Sequence, residues 1–133
     1  MAPPAPNHGF AIELAPDNAR IWVEGSYNAL FSPSAHAAVG QNLSWIRDEG
    51  DVIGEPQFRA SRLGDLTAAE LLVHYRDRKT SIVRTCKAIA ALRASPKEVG
   101  IIYEITLDTP SSRFAEDERV WQQVVLSFQL LPQ

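Results

Sequence analysis
The pattern of apolar and polar positions changes period several times along the chain, and each change predicts an element. Phe10 to Ala15 and Arg20 to Ser26 are short, mainly apolar runs that read as two strands, and Pro16-Asp17-Asn18 between them has the residues that tight turns require. A β-hairpin is expected there. From Ala35 the period lengthens, with Ala35, Ala38, Val39, Leu43 and Ile46 on one face of a helix that runs from 34 to about Asp48. Ser32 or Ser34 stands where an N-cap is needed, and Gly50 where a helix stops. Between Asp51 and Asp65 the glycines, Pro56 and polar residues predict an irregular connection holding one short strand, Gln57 to Ser61.

The period returns to two beyond Glu70. Leu71, Val73 and Tyr75 alternate with Leu72, His74 and Arg76; after a polar break at 77–81 the alternation resumes from Ile82 to Arg93, and after a second break containing Pro96 it runs from Val99 to Thr109. Ile101, Tyr103, Ile105 and Leu107 then share one side of the last strand, with Ile102, Glu104, Thr106 and Asp108 on the other. Short polar connections between such strands predict an antiparallel meander. The rival reading is one long helix from Thr67 to Ala94, weakened by the β-branched and polar patch Thr80-Ser81-Ile82-Val83 in its middle. Thr109-Pro110 closes the strand, Ser111 or Ser112 is placed to cap a helix, and Glu116, Asp117 and Glu118 suit its positive end. Phe114, Trp121, Val124, Val125 and Phe128 give that C-terminal helix one apolar stripe, which predicts docking on the sheet.

At 133 residues, 45% apolar and 22% charged, the chain suits one globular core. The expected fold class is α+β: a mainly antiparallel sheet with helices packed on it, a single layered domain over residues 10–133. Residues 1–9, with Pro3, Pro4 and Pro6, read as a flexible proline-rich lead-in. If that start follows a removed export signal, a periplasmic location is favoured. No apolar run approaches the ~20 residues that cross a bilayer, so no membrane-spanning segment is expected. The single cysteine, Cys86, excludes an internal disulfide and the cysteine-rich zinc patterns.

Net charge is −3, but unevenly spread. Residues 1–65 hold eight acids and four bases, residues 66–97 two acids and seven bases, and residues 98–133 six acids and two bases. The middle is basic and the flanks acidic. Arg76, Arg78, Lys79, Arg84, Lys87 and Arg93 make the basic stretch, which offers a face to an anionic partner or serves as a solvated hairpin face balanced by the acids around it. No glycine-rich phosphate loop, helix-turn-helix or aromatic-interleaved RNA signature accompanies it, so nucleic acid is not an expected partner.

The strand Val99 to Leu107, the Thr109-Pro110 step and the helix ending Trp121-Gln-Gln-Val-Val-Leu-Ser-Phe128 together resemble the close of PsbP- and Mog1-like domains. The resemblance covers the C-terminal third. It implies a layered sheet-and-helix sandwich and, since most members bind partners without catalysing a reaction, a binding or accessory role; it supplies no residue roles.

The remaining chemistry is sparse. His8, His36 and His74 lack the spacing of paired metal ligands, and no metal, cofactor or catalytic residue is assigned. Cys86 and His74 fall on strands expected to be neighbours, a conceivable thiol–imidazole pair set against the commoner role of an isolated cysteine as a small buried apolar residue. Glu70, Glu104 and Asp108 could converge as catalytic carboxylates; with a histidine they would suit a small cone-shaped enzyme of the nuclear-transport-factor-like class, although that class ends on its sheet rather than on a helix. Trp22, Tyr27, Phe31 and Trp45 cluster in the first third as core residues or as the rim of a groove. The function expected is therefore a non-catalytic binding or accessory protein recognising a protein, a peptide or a small apolar ligand. Its candidate binding residues are Trp22, Tyr27, Phe31, Trp45, Arg78, Lys79 and Arg84.

Overall fold
The computed structural model describes residues 8–15, 19–28, 32–93 and 100–128; the lead-in before His8, the Pro16–Asn18 turn, Phe31 and the break around Pro96 lie outside the described residues. Strands β1 (His8–Ala15) and β2 (Ala19–Tyr27) are followed by helices α1 (Ala35–Gly40) and α2 (Asn42–Glu49). Strands β3 (Gly50–Leu63), β4 (Leu66–Asp77), β5 (Val83–Arg93) and β6 (Ile101–Pro110) come next, and helix α3 (Phe114–Leu126) follows them. The six strands form one antiparallel sheet in the order β1-β2-β6-β5-β4-β3. The expected α+β class is what this arrangement is, and the rival long helix is not formed, because residues 67–77 belong to β4 and residues 83–93 to β5.

Three boundaries differ from expectation. The helix expected over 34–48 is two helices broken at Gln41, just after Gly40, a residue of low helix propensity. Ser34 is the cap, its Oγ accepting from the Ala37 N–H at 3.1 Å. The connection after it is no loop: β3 runs for 14 residues, pairing with the whole of β4. Its register shifts between Ile53 and Gln57, so Gly54, at φ 72°, and Pro56, which has no N–H to give a neighbour, fall in the irregularity and not in the ladder. Finally, neither serine caps α3. Ser111–Arg113 form a 3-10 turn, Arg113 takes the N-cap position without a side-chain bond, and the Ser111 hydroxyl lies 2.8 Å from that of Thr85.

Strand alternation sends two sets of side chains to opposite faces. On one, Ile21, Val23, Ile89, Ala91, Tyr103, Ile105 and Leu107 are buried with Trp121 and Phe128 of the C-terminal segment, while Phe114, Val124 and Val125 pack at the margin. The predicted stripe does dock on the sheet. Trp121 also donates its indole N–H to the Ile105 carbonyl at 3.1 Å. On the other face, Ala69, Leu71, Val73, Tyr75, Cys86, Ala88 and Ala90 are buried under Ala38, Val39 and Ile46 of α1 and α2. Those short helices rest on β3, β4 and β5; over β2 and β6 the side chains of α2 reach across at Asn42, to Glu104, and at Trp45, to Trp22, and leave the space between open.

Candidate functional site
That open space is a cleft of about 560 Å3. Register sets its floor. In the β2–β6 pairing Arg20 stands opposite Asp108, Trp22 opposite Thr106 and Glu24 opposite Glu104, and all six point away from the α3 core. β5 adds Arg84, and β4 adds Tyr75 and Asp77; Asn42, Trp45 and Glu49 of α2 form the wall, with Gln41 beside them. Trp22 and Trp45 meet edge to face with ring centroids 6.3 Å apart, and Trp45 meets Tyr75 at 6.1 Å and 89°. The Arg20 guanidinium lies 5.2 Å from the centre of the Trp22 ring.

At one end of the floor the charges are matched. Arg84 Nη2 donates to Asp108 Oδ2 at 3.0 Å and the Tyr75 hydroxyl donates to Asp108 Oδ1 at 2.8 Å. All three are buried. Burial raises the Tyr75 pKa far above its ordinary value, and the neighbouring Asp108 raises it further. Burial also raises Asp108, against the pull of Arg84 and Tyr75. At the other end the charges clash. Glu104 accepts a hydrogen bond from Asn42 Nδ2, and Asn42 Oδ1 accepts from Trp45 Nε1 at 2.7 Å, yet the residue directly across the ladder is another carboxylate, Glu24. Burial, with Glu24 adding to it, lifts the Glu104 carboxyl to about 7 in spite of the bonds from Asn42 and Thr106.

The structure brings Trp22, Trp45 and Arg84 of the predicted binding residues to this cleft. Tyr27 lies at the far end of β2, and Phe31 is outside the described residues. Arg78 and Lys79 are on the β4–β5 turn, where Arg78 works for the fold: its guanidinium bonds the Arg47, Asp48 and Gly50 carbonyls at the end of α2 and pairs with Asp51 at 3.2 Å. The basic stretch makes no single surface, since alternation divides it. Arg84 goes to the cleft and Asp108, and Lys87 goes to the opposite face, 2.6 Å from Glu118 and 3.9 Å from Glu70.

Of the three carboxylates considered together, Glu104 and Asp108 share the cleft. Glu70 points to the other face, held by Arg59 at 3.0 Å and Ser61 at 2.6 Å. The thiol–imidazole pair does not form either. His74 is in register with Thr85, whose hydroxyl lies 2.8 Å from its Nδ1, while Cys86 pairs with Val73 on the opposite face. Cys86 is fully buried and its thiol pKa is pushed well up by that burial and by Asp108 and Glu104. Sequence reasoning missed Arg20, Glu24, Asn42 and Tyr75. Alternation carried the signal for the first two, because Arg20 and Glu24 flank Trp22 at a spacing of two.

No family model and no curated protein matches the sequence. The fold is similar to the crystal structure of LpqN, involved in cell envelope biogenesis of Mycobacterium tuberculosis, with a TM-score of 0.56 over 94% of this chain and 84% of that one, at 10% identity. A likeness at that identity concerns the fold alone. Among the described residues no helix is long and apolar enough to cross a membrane.

Proposed function
We propose that this is a non-catalytic binding or accessory protein that holds its ligand, a small molecule or a peptide segment, in the cleft between α2 and the β2–β6–β5 floor. One observation carries the reading. Two tryptophans from separate segments, Trp22 of β2 and Trp45 of α2, converge in a cleft of about 560 Å3, within the range that suits a ligand site, and polar groups around them can fix orientation. A PsbP- and Mog1-like sandwich is the finer architecture of the same proposal, supported by the strand-to-helix resemblance of the C-terminal third.

A second reading, the small enzyme of the nuclear-transport-factor-like class, draws on Glu104. A carboxyl near 7 beside an open cleft is poised to act as a general base. Against it, among the described residues no histidine lines the cleft. An amide-resolved NMR screen of small molecules and short peptides separates the two readings. Hits are expected to shift amides of β2, β6 and α2 and to be recovered unchanged. Hits that shift only the β4–β5 turn would overturn the cleft as the binding site, and turnover abolished by Glu104→Gln would establish the enzyme.

A further inference from the structure
We infer that the cleft is built for an organic cation, an alkylammonium or guanidinium group seated against the Trp22 and Trp45 rings with Glu24, Glu49 and Glu104 around it. The inference rests on the cleft being the binding site and adds the chemistry of its ligand.

Charge and aromatic surface agree on the sign. Among the described residues five carboxylates line the cleft, on Glu24, Glu49, Asp77, Glu104 and Asp108, against two guanidinium groups, on Arg20 and Arg84. Arg84 is committed to Asp108 at 3.0 Å. Among the described residues no cation pairs within 4.0 Å of Glu24, Glu49, Asp77 or Glu104. An anion entering here would face that surplus. The rings favour the same ligand, since the face of an indole attracts cations and the protein's own Arg20 already lies over Trp22 at 5.2 Å. A bare metal ion fits poorly: among the described residues no three His, Cys, Asp or Glu side chains converge to hold one. Carboxylates spread along an aromatic wall suit a diffuse cation with carbon around its charge.

The pairing also explains the like charges in register. Glu24 and Glu104 oppose each other across the ladder, and a cation between them would let both ionise. Among the described residues the groups facing Glu104 are Glu24 on β2, Asn42 on α2, Thr106 on its own strand and, at longer range, Cys86 on β5; none of these is basic. Binding should therefore release a proton near neutral pH and strengthen from pH 6 to pH 8.

The test is calorimetric and NMR titration of the whole chain, at pH 8 and low salt, with tetralysine, spermidine and choline, and with tetraglutamate and tetraglycine as controls. The three cations should shift the cleft amides and the controls should not; the preference between tetralysine and the free amines tells whether the natural cation belongs to a peptide or to a small molecule. Glu104→Gln, which can still accept from Asn42, should weaken binding about tenfold, and Glu24→Gln less. Arg20→Ala should tighten it several-fold, by clearing the ring and removing a like charge. Weaker cation binding in Arg20→Ala, or unchanged binding in Glu104→Gln, would overturn the inference. If the cleft amides respond only to neutral or anionic compounds, the cation is wrong while the binding site stands; if they respond to no compound of any class, both fail.

Discussion

The two faces of the sheet solve different problems. Under α3 every strand offers apolar side chains, and the polar groups there are matched: Asp117 accepts from Thr109 at 2.6 Å and pairs with Arg113 at 3.1 Å, and Glu70 is held by Arg59 and Ser61. Under α1 and α2 the same sheet is apolar only across β4 and β5. Over β2 and β6 it turns polar, places Glu24 opposite Glu104 and stays open. One face stabilises the fold. The other keeps a carboxyl at about 7, where its ionisation at neutral pH opposes folding, an arrangement that makes sense as a ligand site.

The largest effect that can sharpen this contrast is at the matched end of the cleft. Arg84→Ala should cost about 3–5 kcal/mol at pH 7, because it leaves Asp108 buried without its cation. Without Arg84 the Asp108 carboxyl rises further in the folded state, so the deficit should shrink as pH falls and Asp108 takes up a proton; urea denaturation at several pH values checks both. On the α3 face, Trp121→Ala should cost a similar ~3–5 kcal/mol with no such pH dependence. A Trp121→Ala protein as stable as wild type would break the comparison.

Glu104→Gln should act in the opposite direction. The folded carboxyl titrates at about 7 against an ordinary value of 4.5, so the native state binds the proton more tightly than the unfolded one. Wild-type stability therefore falls as pH rises from 4.5 to about 7 and stays lowered above that. The variant has no such group, and should be about 3 kcal/mol more stable than wild type at pH 8 and equal to it at pH 4. Smaller effects belong to the β4–β5 turn. Arg78→Ala should cost about 1 kcal/mol by freeing the carbonyls at the end of α2. Lys79→Glu, on an exposed turn residue, should leave the denaturation midpoint where it is.

How much of this was legible depends on what each residue reports. β2, β4 and β6 announce themselves by alternation because each has faces that differ. β3 does not, since most of its side chains are exposed and its pairing is a matter of backbone bonds, interrupted where Gly54 and Pro56 lie. Arg84 shows the same limit from the other side. In the sequence it is one of a run of bases, and only the register that sets it beside Tyr75 and across from β6 makes it a buried partner of Asp108. Trp22 and Trp45 were visible as aromatic residues, and Glu104 as a carboxylate on a strand. Their meeting depends on how far α1 and α2 extend over the sheet, which no local pattern encodes.

The central claim is that the open part of one sheet face is a cation site, and Glu104 reports on it directly. Its side-chain carboxyl should be followed by carbon-detected NMR through a pH titration, first alone and then saturated with spermidine. The midpoint is expected near 7 in the free protein and clearly lower in the complex. A midpoint near the ordinary 4.5, or one that spermidine leaves in place, would contradict the account.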